Sequence, residues 1–174
     1  PPPRNRRISD FEIGLLLNNL GFEEQTPAMQ KQKVGLIFLL ALETAMRQSE
    51  IATLDWSQVS LRERSVTLLA TKNGDRRQVP LSLRALELFQ LMKPKSHGNI
   101  FNITADTVCT TFRKAVKECN IIDLTFHDSR HEACTRLAQK LAVLDLAAMI
   151  GHRDLKSLMI YYNPTVTEIA HQLD

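Results

Sequence analysis

Val34 to Leu42 is the longest uninterrupted apolar run in this 174-residue chain, and it constrains the fold more than any other feature. A helix opened by Thr26-Pro27 and running through Val34, Ile37, Leu40 and Ala41 is apolar around its whole circumference. Such a helix has to be wrapped by other elements on every side. The run is also far short of the ~20 residues that span a bilayer. The reading is therefore a central helix in a water-exposed domain, and the end of that helix delivers Arg47.

Local signals supply the elements that do the wrapping. Ser9 with Glu12 is a capping-box pattern whose helix stops near Gly21. After a short helical turn from Gln48 to about Leu54, Ser65 to Ala70 and Arg76 to Pro80 read as two strands. Asn73-Gly74 between them supplies the positive φ angles of a tight hairpin. Ser82 to Met92 and Thr104 to Glu118 fit helices. Thr125 with Asp128 starts another, which carries His127, Arg130 and His131 in its first turns. Val143 to Ile150 is a short helix closed by Gly151. Asp154 caps the segment bearing Tyr161, Asn163-Pro164 ends it, and Thr165 with Glu168 opens a last helix. The class that follows is α+β, mainly helical, with a small antiparallel sheet and a single domain over residues 8–174. A chain of this length buries about two-thirds of its unfolded surface. Residues 1–7, Pro1-Pro2-Pro3-Arg4-Asn5-Arg6-Arg7, have the composition of a basic linker.

Composition narrows the function classes. An apolar share of 44% fits a globular domain and not a disordered one. With no membrane span or signal peptide visible, a cytoplasmic protein is expected. Cys109, Cys119 and Cys134 are odd in number and match no zinc spacing, so buried free thiols are expected. A net charge of +3 permits nucleic-acid binding without demanding it. Its distribution says more, because Arg4, Arg6 and Arg7 open the chain and Arg62, Arg64, Lys72, Arg76 and Arg77 crowd one hairpin.

A phosphodiester has two non-bridging oxygens that gain charge at the transition state, and planar guanidinium forks suit them best. Arg47 and Arg130 are the candidates, one ending a nearly all-apolar helix and the other one turn from His127. His127 and His131, four apart on one helical face, have a spacing that could hold zinc. Arg130 would put a permanent cation beside such a metal, and the glutamate of the inverted zinc-protease pattern is missing, so neither metal nor cofactor is expected. Tyr161 and Tyr162 are the only tyrosines. A phenol needs cations and a base before it is a nucleophile at neutral pH, and neighbours on a helix point about 100° apart, so only one can face a given phosphate.

The phrases Ala45-Met46-Arg47-Gln48-Ser49-Glu50, Thr71-Lys72-Asn73-Gly74, His127-Asp128-Ser129-Arg130-His131, and Gly151-His152 followed nine residues later by Tyr161 resemble the catalytic domain of the tyrosine recombinases, the lambda-integrase family. The resemblance runs from about Ile8 to the end. Within the family, ALETAMRQSEI and FHDSRHEA look most like shufflon-type DNA invertases and related integrases.

The resemblance implies a site-specific recombinase that cleaves and rejoins double-stranded DNA through a 3′-phosphotyrosyl intermediate. Arg47 and Arg130 would clamp the scissile phosphate, Lys72 would protonate the leaving 5′ oxygen, and His127 would assist proton transfer from the nucleophile. His152 would hydrogen-bond the phosphate, and the spacing from Gly151-His152 selects Tyr161 as nucleophile. Glu50 and His131 take supporting roles, and Arg76 and Arg77 are expected to contact DNA phosphates. A type IB topoisomerase and a catalytically inactive DNA-binding relative stay open as alternatives. The expected partners are DNA recombination sites, three further copies in a homotetrameric synaptic complex, and accessory DNA-bending proteins, with the isolated domain monomeric. The chain does not begin with Met, and the expectation is a longer protein whose N-terminal DNA-clamping domain lies outside this sequence, active in the bacterial cytoplasm and at the nucleoid when bound to DNA.

Overall fold

The computed structural model describes residues 4–69, 76–152 and 154–174. Helix α1 (Asp10–Asn19) begins at the Ser9 capping box and is followed by Gly21 at φ +70°. Helix α2 (Gln30–Thr44) starts three residues later than Thr26-Pro27 suggests. The Gln32 side chain reaches back to accept from the amides of Ala28 and Met29, both at 2.9 Å. The cap therefore forms at Met29, and Thr26-Pro27 stays in the approach to the helix. The apolar run is buried as anticipated, from Val34 through Leu42 except for a partly exposed Leu39. Gly35 is needed there, since a Cβ at that position would lie 3.0 Å from Phe22 Cβ. Phe38 meets Phe112 and Phe126 with ring centroids 5.0 and 6.0 Å apart, which fixes α2 at the centre of the main core.

Around α2 pack α3 (Gln48–Ala52), α4 (Leu83–Gln90), α5 (Ala105–Glu118) and α6 (Asp128–Ala138). A three-stranded antiparallel sheet runs in the order β1 (Val59–Ser60), β2 (Ser65–Leu68), β3 (Arg77–Pro80), with Val66 opposite Val79 and Leu68 opposite Arg77. The Asn73-Gly74 turn and Lys72 lie outside the described residues. β1 has no counterpart among the expected elements, because two residues are too few to show an alternating pattern.

Helix α7 (Val143–Ile150) covers β3 and ends at Gly151, φ +76°. A 3₁₀ segment (Leu155–Tyr161) capped by Asp154 and then α8 (Val166–His171) complete the chain. Ala45, Ala133, Cys134, Leu146, Ala147, Ile150 and Leu158 form a second, smaller core against which Tyr161 and Tyr162 pack. Of the three free thiols only Cys134 is buried; Cys109 and Cys119 are partly exposed, which corrects the expectation of three buried thiols.

Residues 4–7, a linker by composition, are tied to the domain. Arg4 makes a two-pronged contact with the buried Asp128 (2.9 Å twice), Arg6 pairs with Glu12, and Arg7 forks onto Glu132, a carboxylate 1% exposed. Asp128 and Glu132 sit on α6 on either side of Arg130 and His131, so this segment neutralises two buried charges that flank the candidate site. No helix among the described residues is long and apolar enough to cross a membrane.

Candidate active site

Arg47 and Arg130 reach the same place from opposite sides of the chain. At the end of α2, Ala45 adopts a left-handed conformation (φ 59°), a strained state for a residue with a Cβ. This turns the chain so that Arg47 becomes the extended residue before α3, its amide held by Glu50 Oε1 at 2.8 Å. The Arg47 side chain is half-exposed at 46%. Arg130 rises from the first turn of α6 and is 7% exposed. Its guanidinium donates to the carbonyls of Ala45 and, at 3.0 Å, Ile150. Among the described residues no carboxylate pairs with it. Burial, and then the nearby Arg47 cation, pull Arg130 down to about 10, so it stays charged at neutral pH. A buried cation held only by neutral carbonyls favours the arrival of an anion.

Arg47, Arg130 and His127 line one open cavity of about 360 Å³, floored by Phe112, Leu124 and Phe126. His127 occupies the N-cap position of α6, and burial with the Arg130 and Arg47 cations holds its pKa below the ordinary value. His152 follows the Gly151 turn, its Nδ1 3.4 Å from Ser157 Oγ. Burial lowers it too, followed by Arg130, Arg47 and Arg77, so this imidazole stands in the field of three guanidiniums. Both histidines are thereby biased to the neutral form, able to accept a proton. Among the described residues no group of three or more His, Cys, Asp or Glu could hold a metal.

Tyr161 rests outside this cluster. Its hydroxyl is 3.2 Å from His131 Nδ1 and alongside the Cys134 thiol, about one helical turn farther along α6 from Arg130. Burial, then Cys134, push the phenol up to about 12, with Arg130 only partly opposing. The imidazole touching the hydroxyl is thus that of His131 and not that of His127. Tyr162 is engaged elsewhere, its hydroxyl donating to the Leu141 carbonyl at 2.7 Å.

The hairpin residues divide. Arg76 is exposed, and Lys72 lies outside the described residues. Arg77 is turned inward and 8% exposed, which corrects the expectation of a phosphate contact. It donates to both Glu50 oxygens, at 2.8 and 3.2 Å, and to the Met149 carbonyl at 3.1 Å. Burial raises the Glu50 pKa, but Arg77's hydrogen bonds and the Arg47 amide outweigh it, so the carboxylate is held below its ordinary range. A signal for Arg77 exists in the sequence: strand side chains alternate, and Arg77 is two residues from the inward Val79. Nothing in the sequence points to the Ala45 carbonyl or to Cys134 as part of the site.

A family model described as the phage integrase family matches residues 7–168. The chain belongs to the phage integrase family. Among its relatives in that family, a shufflon-specific DNA recombinase of Escherichia coli is 43% identical over 141 residues, covering 80% of this chain and 37% of the relative. A putative integrase/recombinase of Haemophilus influenzae is 39% identical over 177 residues, covering 97% and 48%. The chain therefore spans half or less of these two relatives. The solved catalytic domain of bacteriophage HP1 integrase superposes with a TM-score of 0.73 at 27% identity, covering 97% of this chain and 94% of that domain. The mainly helical fold with its small antiparallel sheet is that of a tyrosine recombinase catalytic domain.

Proposed function

We propose that this chain is the catalytic part of a site-specific DNA recombinase that uses Tyr161 to cleave and rejoin strands. The observation that carries the reading is the buried Arg130 guanidinium, without a carboxylate partner among the described residues, facing the same cavity as Arg47 and His127. Family membership, with the anticipated residue type at every catalytic position, favours this reading over a type IB topoisomerase or an inactive relative.

In the proposed reaction, one phosphate lies between Arg47 and Arg130, whose forks stabilise the charge that develops on its two non-bridging oxygens. His152 donates a further hydrogen bond. Tyr161 leaves its resting contact with His131 and moves toward the arginines, where their field lowers the energy of the phenolate. Its proton passes to a neutral histidine, His127 in the engaged state. The phenolate oxygen bonds to phosphorus, the bond to the 5′ oxygen breaks, and Lys72 protonates that oxygen. The 3′-phosphotyrosyl ester keeps the bond energy, and a 5′ hydroxyl from the partner strand attacks it to reverse the step. No nucleotide triphosphate is consumed.

Strand exchange between two duplexes requires four active sites, so the working form is a homotetramer on paired recombination sites, with accessory DNA-bending proteins where the sites must be folded together. Helix α8, with no buried residue and with Val166 and Ile169 exposed, is suited to docking on a neighbouring protomer. The protein acts where its DNA is, at the bacterial nucleoid.

A library of nicked duplexes with a randomised central segment tests the reading whatever the sequence of the natural site. Wild type should trap a subset covalently, resistant to denaturing electrophoresis, and sequencing that subset defines the site. Tyr161→Phe should bind the selected duplex and form no adduct, while Tyr162→Phe should form it. An adduct with Tyr161→Phe would overturn the assignment of the nucleophile.

A further inference from the structure

Arg77 links three elements of the candidate site, and the phosphate-binding scheme above assigns it no task. Its β3 backbone lies five residues after Lys72. Its Nη1 and Nη2 fork onto Glu50, and Glu50 Oε1 is also the acceptor for the Arg47 amide. Its Nε donates to the carbonyl of Met149, while Arg130 takes the next carbonyl, that of Ile150. Two guanidiniums thus cap consecutive carbonyls at the C-terminal end of α7, where the helix dipole favours positive charge. Immediately beyond them the chain turns at Gly151 to present His152. The turn is fitted around Arg77, since a Cβ at Gly151 would lie 2.9 Å from Arg77 Cδ and 3.4 Å from Nε.

We infer that Arg77 is a positioning residue that locks the Arg47 turn and the Gly151-His152 turn into one geometry. The inference rests on the recombinase reading above and adds to it a task for a residue that touches no phosphate. The chemistry asks for arginine: three donors in one plane meet a carboxylate and a carbonyl from two different elements, which a lysine ammonium on its flexible stem cannot reproduce. A buried ion pair is a weak source of net stability, so holding geometry is the larger effect to look for.

The test uses Arg77→Gln, Arg77→Lys, Glu50→Gln and the double variant Glu50→Gln/Arg77→Gln on the duplex selected by covalent capture. At saturating DNA, single-turnover cleavage by Arg77→Gln should fall about 100-fold, the size of loss that follows from a small misplacement of reacting groups. DNA affinity should stay within about threefold, because only interactions made in the transition state are lost. Arg77→Lys should recover part of the rate, and the double variant should be no slower than the slower single one, since both changes break the same link. In the free protein, amide hydrogen exchange should speed up at both Arg47 and His152. A rate per folded molecule close to wild type, or a loss confined to DNA affinity, would refute the inference. If Arg77→Gln does not fold, Arg77→Lys carries both measurements. If wild type forms no adduct, the recombinase reading fails by itself, and unchanged exchange at Arg47 and His152 would then also dispose of the positioning role.

Discussion

The two halves of the candidate site are held in very different ways. Arg47 and Arg130 hang from α2, α3 and α6, whose interior is the Phe38, Phe112 and Phe126 cluster. The segment carrying Tyr161 contributes one buried side chain, Leu158, and α8 after it contributes none. Fully burying one leucine stabilises a segment by about 1.5–3 kcal/mol, an amount that thermal fluctuation and a DNA ligand can overcome. In the proposed mechanism the groups that bind charge are therefore prearranged, while Tyr161 rests protonated and half-buried and has to travel. In that mechanism, separating the two keeps an activated phenolate from existing before DNA has arrived.

If the framework supplies the charge stabilisation, Arg130→Met should lower single-turnover cleavage about 10³-fold, in the range lost when a preorganised donor to a developing anion is removed. Rapid-quench measurement on the selected duplex checks this, and a loss under about tenfold would show that the rigid half is not where the rate comes from.

The framework also has an acid weakness. Glu132 is held at about 2, below its ordinary 4.5: burial raises it, but Arg7, Arg136 and the Ile8 amide more than offset that. Glu50 and Asp128 are shifted in the same direction. A depressed carboxylate contributes stability that is present above its unfolded pKa and lost as pH falls through the folded one. Stability should thus fall between pH 4.5 and 2, by on the order of 3 kcal/mol from Glu132 alone. Denaturant melts across that range should show the fall, and Glu132→Gln should flatten it while lowering stability at neutral pH.

Leu158→Ala acts on the other half. It should remove about 2 kcal/mol or more of docking energy and speed amide exchange across Leu155–Tyr161, while α2 and α5 keep wild-type protection. Equal loss of protection in both halves would mean that they unfold as one unit. The smallest effect should come from Cys134→Ala. The thiol is the second cause, after burial, of the raised Tyr161 pKa, so its removal should lower that pKa while leaving it above the ordinary phenol value. An ultraviolet titration in a Tyr162→Phe background would read it.

What is legible in the sequence is local. The Ser9 and Thr165 capping boxes, the span of α7 and the burial of α2 follow from patterns within a few residues, and the structure bears each of them out. Arg77 is misjudged from sequence because a cluster of like charges suggests solvent, although alternation with Val79 already turns it inward. Arg4, Arg6 and Arg7 look like free linker for the same reason: composition reports the charge and not the buried Asp128 and Glu132 that await it. The resting place of Tyr161 between His131 and Cys134 depends on how a weakly packed segment docks on α6, and no local pattern encodes that.

In the proposed reaction the Tyr161 hydroxyl leaves this resting place to become the atom bonded to DNA. Proteolysis of the covalent adduct, followed by fragmentation of the peptide that contains both tyrosines, reads the bonded residue directly. A nucleotide attached through its 3′ phosphate to Tyr161 alone is expected. Attachment to Tyr162, or through a 5′ phosphate, would contradict it.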